Sequence, residues 1–505
     1  MSTEKPCMSS SEWLKDMAVI GFDLNTEFNS LHTVSSEVES RGCFVALVGD
    51  KFDGREFIPE AASRGAALAV YDPAKCLSPN IIDWLKNSGT NTVVIPVPEL
   101  ENKLSFLASK FYQHPSRQML GIGVTGTNGK SSVAYMLASA LTNQKRKTGL
   151  IGTLGYGTVN QLTSSRLTTP NAVQTQKYLA DFIEKGFDSF VFEASSHGLA
   201  LGRVSSVSTD VAVMTHFGSD HNDFHKSRSE YLAAKEILFA NSCRANVLNF
   251  DDPYSEVLLD KYTNVESIGY SIKKKHDSVP TVLASNIKVD LNTVNFRVSS
   301  TFGNSNLSLP LSGAFQVENA LAVLTAQLIA GCDFEVACDA LSRVQHVPGR
   351  MNWFELAEGP KICVDYAHNA ESLASVLSHI KTYATGKVWC VFGCGGDRDA
   401  SRRAAMGKVA ERYSDNIILT DDNPRSESPE KIIQDITDGM LCKWAVMVEH
   451  DRSAAIAHAI NNASKNDIIL IAGKGHETYQ EIANDSVWYS DIEQVLSYLD
   501  SKEVS

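Results

Sequence analysis

The segment Gly123-Val-Thr-Gly-Thr-Asn-Gly-Lys-Ser-Ser132 holds the residue types and spacing that wrap the phosphates of a nucleotide. Glycines let backbone N–H groups approach phosphate oxygens closely, and a following helix N-terminus adds partial positive charge. Lys130 adds a full charge, and the Ser131 hydroxyl can ligate magnesium. The strict phosphate-loop pattern has a glycine five positions before the Gly-Lys pair, where this chain has Val124, so the loop is a variant. Further polar clusters end apolar runs: Glu193-Ala-Ser-Ser-His-Gly198, Asp220-His221 and Asn249-Phe-Asp-Asp252. Glu193 and His221 can each give magnesium a ligand beside Ser131, although Glu193 alone reads equally as a helix cap or surface carboxylate. Lys235 lies among apolar residues in Tyr231-Leu-Ala-Ala-Lys-Glu-Ile-Leu-Phe239, where snorkelling to water is the simpler account and special chemistry the other. Towards the C-terminus four charged turns follow apolar strands: Asp365-Tyr-Ala-His368, Gly393-Cys-Gly-Gly-Asp-Arg-Asp399, Asp422-Asn-Pro-Arg425 and Gly473-Lys-Gly-His-Glu477. One such turn is an ordinary loop, whereas four on one sheet edge suggest a binding site for a charged molecule.

Elements of an α/β fold must position these clusters. The apolar run Met119-Leu-Gly-Ile-Gly-Val124 and the helix-like Ser132-Val-Ala-Tyr-Met-Leu-Ala-Ser-Ala-Leu141 give the strand, loop, helix order that a phosphate loop needs. Short β-branched runs at 44–48, 66–70 and 92–96 alternate with helical stretches, and His114-Pro-Ser-Arg117 interrupts them. Buried strands then follow at 189–193, 210–215 and 245–250, and continuous apolar strands of this kind belong to parallel sheets covered on both faces. Residues 283–312 alternate as antiparallel strands do, before a helix around 317–324 and a boundary at His346-Val-Pro-Gly-Arg350. Strands at 361–366, 387–392, 416–420 and 467–472 imply a third α/β domain. The chain of 505 residues is long enough for about three domains at ~150 residues each. The expected partition is 1–115, 116–347 and 348–505.

The net charge of −13 opposes nonspecific binding to nucleic acid, which lysine and arginine must supply. No apolar run approaches the ~20 residues of a membrane span and the N-terminus lacks a signal peptide, so a cytoplasmic protein without membrane insertion is expected. Ten cysteines without a repeated Cys-x-x-Cys read as reduced, mostly buried thiols.

Together, Thr125-Gly-Thr-Asn-Gly-Lys-Ser131, Glu193-Ala-Ser-Ser-His197, Asp220-His221, Lys235, His346-Val-Pro-Gly-Arg350, Val364-Asp-Tyr-Ala-His368 and Gly473-Lys-Gly-His-Glu477 resemble the Mur ligase family, in family order. The resemblance implies three domains: one for a UDP-sugar, a central phosphate-loop ATPase with a mostly parallel sheet and a small antiparallel part, and a C-terminal Rossmann-like domain. It points to members that add the third residue of the bacterial cell-wall stem peptide. In these, ATP phosphorylates the D-glutamate side-chain carboxylate of UDP-N-acetylmuramoyl-L-alanyl-D-glutamate, and an incoming amine attacks the acyl phosphate.

The same resemblance assigns ATP to Gly126, Thr127, Asn128, Gly129, Lys130, Ser131 and Ser132, with Arg350, Asp365 and His368 from the C-terminal domain. It gives magnesium to Ser131, Glu193, His221 and Lys235, the last as a carbamate formed with carbon dioxide, which displaces the snorkelling account. Catalysis then rests on Lys130, Glu193, His221 and Lys235. UDP-sugar-peptide contacts fall on Ser35, Asp50, Lys51, Phe52, Thr168, Thr169, Ser195 and Arg203. For the amino acid, Asp422-Asn423-Pro424-Arg425 resembles the signature of enzymes that add meso-diaminopimelate, with Arg398, Gly473 and Glu477 completing the set. Diaminopimelate differs from lysine by a distal carboxylate, which arginine can grip bidentately. A monomer is expected.

The chain departs from the family pattern at Val34-Ser-Ser36 in place of Asp-Ser-Arg, Ser131-Ser132 in place of paired threonines, and Thr215-His-Phe-Gly-Ser-Asp-His221 in place of Thr-Asn-Leu-x-x-Asp-His. Leu201 stands where a polar substrate contact is common. Three alternatives stand beside this reading. A lysine-adding relative usually lacks the arginine of the diaminopimelate signature. A folylpolyglutamate synthetase normally lacks the N-terminal domain that residues 33–100 supply. A non-catalytic nucleotide-binding scaffold would not need Lys130, Glu193, His221 and Lys235 together.

Overall fold

The computed structural model describes residues 7–17, 19, 25–49, 52–74, 76–165, 167–218, 224–355, 359–483 and 485–503. Its architecture is mixed α/β with parallel-dominated sheets and short antiparallel additions. Two compact units form by internal contact. The first comprises Met1–Gly123, Arg146–Ala212 and Ala234–Cys243, and the second Val124–Lys145, Val213–Ala233 and Arg244–Ser505.

In the first unit, strands Leu31–His32, Cys43–Ala46, Leu68–Tyr71 and Val93–Pro96 form a parallel sheet, with Leu31 opposite Cys43, Cys43 opposite Leu68 and Leu68 opposite Val93. Successive side chains of a strand point to opposite faces, so Cys43 and Val45 join a core with Trp13, Phe28 and Phe111 while Phe44 and Ala46 pack with Val38, Ile58 and Ala61. Burial on both faces is the reason Cys43–Ala46 is apolar throughout. Trp13 meets Phe28 edge-on at 5.0 Å, Phe28 stacks on Phe111 at 5.2 Å, and the Trp13 indole donates to the Leu107 carbonyl at 2.8 Å. Each such fully buried aromatic side chain contributes about 2 kcal/mol through area removed from water. Strand Thr148–Gly152 pairs in parallel with Ser189–Glu193, and two short strands, Gly155–Thr158 and Gln161–Thr163, extend it antiparallel.

In the second unit, the part of strand Ser242–Asn249 from Ala245 on, Glu266–Ser271 and Thr281–Val289 pair in parallel, and Val294–Ser299 and Asn304–Leu309 continue antiparallel. The expected change to antiparallel strands over 283–312 begins at Thr281–Val289, which is parallel to one neighbour and antiparallel to the other. Helix Phe315–Ile329 is buried along nearly its whole length, more than the expected 317–324 core.

A six-stranded sheet follows in the order Asn352–Glu355, Lys361–Asp365, Ile468–Ala472, Val388–Phe392, Asn416–Leu419, Val446–Val448, all parallel except the first. Cys363, Cys390, Leu419 and Leu470 face one core; Ile362, Val364, Val391, Ile418 and Ile471 face the other. Ligands of open parallel sheets bind beyond the carboxyl ends of the strands, and those ends carry Asp365, Gly393, Asp422 and Gly473.

Among the described residues no helix is long and apolar enough to cross a membrane. Five of the ten cysteines are buried and four are exposed, so the thiols are less uniformly interior than their apolar neighbours in sequence suggest.

Candidate active site

The phosphate loop has the expected form. Strand Leu120–Thr125 runs into the loop, and helix Lys130–Asn143 leaves it, starting two residues earlier than its apolar pattern. Gly129 caps that helix at φ 87°, a conformation that L side chains rarely adopt, and a Cβ there would lie 2.7 Å from Asn319 Oδ1. The Lys130 ammonium donates to the Gly126 and Thr127 carbonyls at 2.9 and 3.0 Å, which holds the charge over the loop. Thr127 Oγ1 shares a 2.8 Å hydrogen bond with the Tyr231 hydroxyl, and Thr215 Oγ1 donates to the Asn128 carbonyl at 2.7 Å. These bonds fix the loop backbone before any ligand arrives.

Asn128, Gly129 and Ser132 line a cavity of about 270 Å³ together with Arg350 and Asp365. The phosphate loop and two of the expected C-terminal ATP contacts thus share one site. Asp365 is buried and accepts from the Met351 and Ala367 N–H groups, each at 2.8 Å. Burial raises its carboxyl above the usual range while nearby Arg350 opposes the rise. The Arg350 guanidinium lies 4.4 Å over the Tyr366 ring, which also packs against His368 and His476. His368 Nδ1 donates to the Tyr366 carbonyl at 2.9 Å, which orients the ring.

Glu371, in the first turn of helix Ala370–Tyr383, reaches the same cavity. It accepts from Asn128 Nδ2 at 2.9 Å and pairs with His216 Nε2 at 2.6 Å. The hydrogen bond that His216 donates to Glu371 raises the His216 pKa, against burial that lowers it and with Asp252 and Glu318 assisting. His216 is one of the departures from the family pattern, and here its partner is visible.

The first unit gathers a second polar cluster. Glu193 is 1% exposed at the end of its strand and accepts from Thr153 N at 2.8 Å and Thr153 Oγ1 at 3.1 Å. Thr153 Oγ1 donates to Thr168 at 3.0 Å, Thr169 Oγ1 to the Glu193 carbonyl at 2.8 Å, and Arg203 Nη1 to the Thr169 carbonyl at 3.0 Å. Ser195 caps helix Ser196–Ala200 and pairs with Thr169 at 2.9 Å. Asn171, beside this threonine pair, donates to Thr33 at 3.2 Å, two residues from Ser35. Ser35 is buried and donates to Glu60 at 2.6 Å, whereas Phe52 is 72% exposed.

A third cluster forms beyond the C-terminal sheet. Asn423 Nδ2 donates to Glu477 at 3.0 Å, and the fully buried Lys474 ammonium donates to Asn423 Oδ1 at 3.0 Å and Glu477 at 3.1 Å. Arg425 Nε donates to Glu481 at 2.6 Å and Nη1 to the Gly396 carbonyl at 2.8 Å. Asp422 stays below the usual carboxylate range although burial pushes it up, because Lys474, Arg452 and Arg425 surround it. Burial lifts Glu477 instead, with Lys474 opposing. Gly473, at φ 116°, leaves room for Asp422, whose Oδ2 would lie 2.5 Å from an added Cβ. The buried Arg452 pairs with Asp491 at 2.8 and 2.9 Å and holds the Ala472 carbonyl at 2.9 Å, which anchors that strand end.

The Mur ligase middle domain matches residues 124–327, and the Mur ligase glutamate ligase domain matches residues 349–475. The UDP-N-acetylmuramoyl-L-alanyl-D-glutamate--2,6-diaminopimelate ligase of Coxiella burnetii is 40% identical over 92% of this chain and 94% of its own length. The Vibrio vulnificus protein of the same name is 37% identical over 93% of this chain and 94% of its own. This chain belongs to the Mur ligase family. A solved structure of a UDP-N-acetylmuramoyl-L-alanyl-D-glutamate--2,6-diaminopimelate ligase also superposes on this Mur ligase with a TM-score of 0.67 at 30% identity, covering 98% of this chain and 99% of the other.

Within this Mur ligase, His221, Asp50 and Lys51 lie outside the described residues. Among the described residues no three His, Cys, Asp or Glu side chains come together as metal ligands; the expected magnesium set also draws on Ser131 and Lys235. Lys235 is 1% exposed on helix Arg228–Ala240, so its ammonium does not snorkel to water. Lys474, Glu481 and Glu371 sit among the expected site residues as further members. Lys474 belongs to the Gly473-Lys-Gly-His-Glu477 motif, but Glu481 and Glu371 carry no motif signal and are legible only through their long-range partners.

Proposed function

We propose that this Mur ligase joins meso-diaminopimelate to the D-glutamate side-chain carboxylate of UDP-N-acetylmuramoyl-L-alanyl-D-glutamate, using ATP. The observation that carries the choice of amino acid is the third cluster, where Arg425 and Glu477 are tied into one network through Asn423 and Glu481. The distal end of diaminopimelate bears both a carboxylate and an ammonium, so it needs a cation and an anion side by side. The distal end of lysine needs only the anion. Arg398, Asp422, Pro424 and Gly473 complete this proposed subsite.

The chemistry needs no protein nucleophile. A D-glutamate carboxylate oxygen attacks the γ-phosphorus, the bond to the β–γ bridging oxygen breaks, and ADP leaves. The amine nitrogen then attacks the acyl carbon, the carbon–oxygen bond to phosphate breaks, and the nitrogen releases a proton as phosphate departs. The protein's part is positioning and charge neutralisation. In this reading Gly126, Thr127, Asn128, Gly129, Ser131 and Ser132 cradle the phosphates, Lys130 neutralises them, and Arg350, Asp365 and His368 complete the ATP site. Thr168, Thr169, Ser195 and Arg203 hold the substrate's peptide and sugar, with Ser35, Asp50, Lys51 and Phe52 at the UDP end.

Ser131, Glu193, His221 and the Lys235 carbamate would hold magnesium, which would supply further neutralisation of phosphoryl charge when bound. The donor chemistry fits: Ser131, Glu193 and Lys235 are all buried, and a hydroxyl with carboxylate-type oxygens is the donor set that magnesium takes. Lys235→Ala is expected to lower turnover by about 100-fold or more while leaving the fold intact. A fully active Lys235→Ala enzyme, or a native mass without bound carbon dioxide, removes the carbamate from this reading. The partition into 1–115, 116–347 and 348–505, a monomeric state and a cytoplasmic location belong to the same proposal.

Phosphate release with the UDP-dipeptide and ATP tests the whole. Turnover should depend on diaminopimelate and be at least about 100-fold slower with lysine at equal concentration. Equal turnover of the two amino acids would favour a lysine-adding or unselective ligase, and no substrate-dependent ATP hydrolysis at all would leave a scaffold.

A further inference from the structure

Arg425 belongs to a recognisable signature, but its surroundings show how its direction is set. Its backbone is left-handed at φ 53°. Arg425 N donates to the Glu481 carbonyl at 3.0 Å and Ala483 N donates to the Arg425 carbonyl at 2.9 Å. The hairpin Tyr479–Ile482 and Asp485–Trp488 therefore grips this residue along the main chain. The Glu481 side chain adds the 2.6 Å bond to Nε, and Glu481 N donates to Asn423 Oδ1 at 2.9 Å. Glu481 thus touches two members of the Asp422-Asn-Pro-Arg425 turn from 56 residues away.

The guanidinium has five N–H groups; bonds to Glu481 and the Gly396 carbonyl engage one on Nε and one on Nη1. Gly395 closes in from another side, where an added Cβ would lie 2.9 Å from Nη1. With one edge held by Glu481, the Nη2 side remains to meet a carboxylate. Without that hold, a flexible side chain would have to be ordered by the substrate itself.

We infer that Glu481 is a specificity-determining residue for the incoming amino acid, acting through Arg425 by fixing the direction of its guanidinium. This inference rests on the reading of Arg425 as the partner of a distal carboxylate. Glu481→Ala should raise KM for diaminopimelate by about tenfold and shrink the diaminopimelate-to-lysine ratio of kcat/KM by a similar factor. KM for ATP and for the UDP-dipeptide should stay within about twofold. Glu481→Gln, which keeps an acceptor for Nε, should restore most of the ratio.

Arg425→Ala, assayed in parallel, separates the two ideas. If Arg425→Ala abolishes discrimination while Glu481→Ala leaves the ratio unchanged, the role of Glu481 is refuted and the subsite reading stands. If Arg425→Ala itself leaves the ratio unchanged, the subsite reading falls and this inference with it. Equal losses toward every substrate in Glu481→Ala, with a lowered Tm, would make the residue structural and overturn the inference.

Discussion

Lys130→Ala is expected to reduce ADP formation by about 1000-fold or more while leaving Tm within a few degrees of the parent. The argument starts from where the ammonium sits. Its hydrogen bonds to the Gly126 and Thr127 carbonyls keep a full positive charge over a loop whose other resource is oriented N–H groups. Transferring a γ-phosphoryl group to a carboxylate brings two anions together, so loss of a fixed cation is felt most where charge concentrates. Lys130→Arg should not restore activity. The guanidinium is planar and broader than an ammonium, and two carbonyls at 2.9 and 3.0 Å define a pocket for a compact charge. A Lys130→Ala enzyme that keeps more than a tenth of parental ADP formation would show that the loop binds ATP without this residue's help.

Arg425→Ala is expected to collapse amino-acid selection. Removing a charge-assisted grip on a carboxylate costs about 1.5–3 kcal/mol, so kcat/KM for diaminopimelate should fall by about 10–100-fold. Lysine, which has no distal carboxylate, should change by less than about threefold. Arg425→Lys should recover little, because one ammonium cannot bridge the Gly396 carbonyl, Glu481 and a substrate carboxylate at once. Parallel measurement of both amino acids checks this directly, and an unchanged preference in Arg425→Ala would place selection elsewhere in the cluster.

The parts of the site that could be read in advance are contiguous in the chain. The phosphate loop needs only a strand, a turn and a helix N-terminus in succession, and local rules govern all three. The strand-end positions of Asp365, Asp422 and Gly473 were legible for a similar reason. Apolar runs mark the parallel strands, and the polar residues that end them fall on the edge where such sheets bind ligands. Strand and helix limits were less exact: helix Lys130–Asn143 begins at the loop lysine, and strand Ser242–Asn249 begins before its apolar stretch. Hydrogen bonding extends regular structure past the residues whose hydrophobicity reveals it. The burial of Lys235 could not be read, because a lysine in an apolar helix has the same local pattern whether its head reaches water or not.

The sequence by itself determined the family, the α/β class, the nucleotide loop and the Asp-Asn-Pro-Arg turn, because each is written in neighbouring residues whose chemistry is local. Only the tertiary structure decided which side chains meet. Asn423 finds Glu477 across 54 residues, Arg425 finds Glu481 across 56, and His216 finds Glu371 across 155. Such pairs are selected by how strands and helices pack, and no local periodicity records them. The network proposed as the amino-acid subsite is therefore a property of the fold, even though its arginine is announced by the sequence.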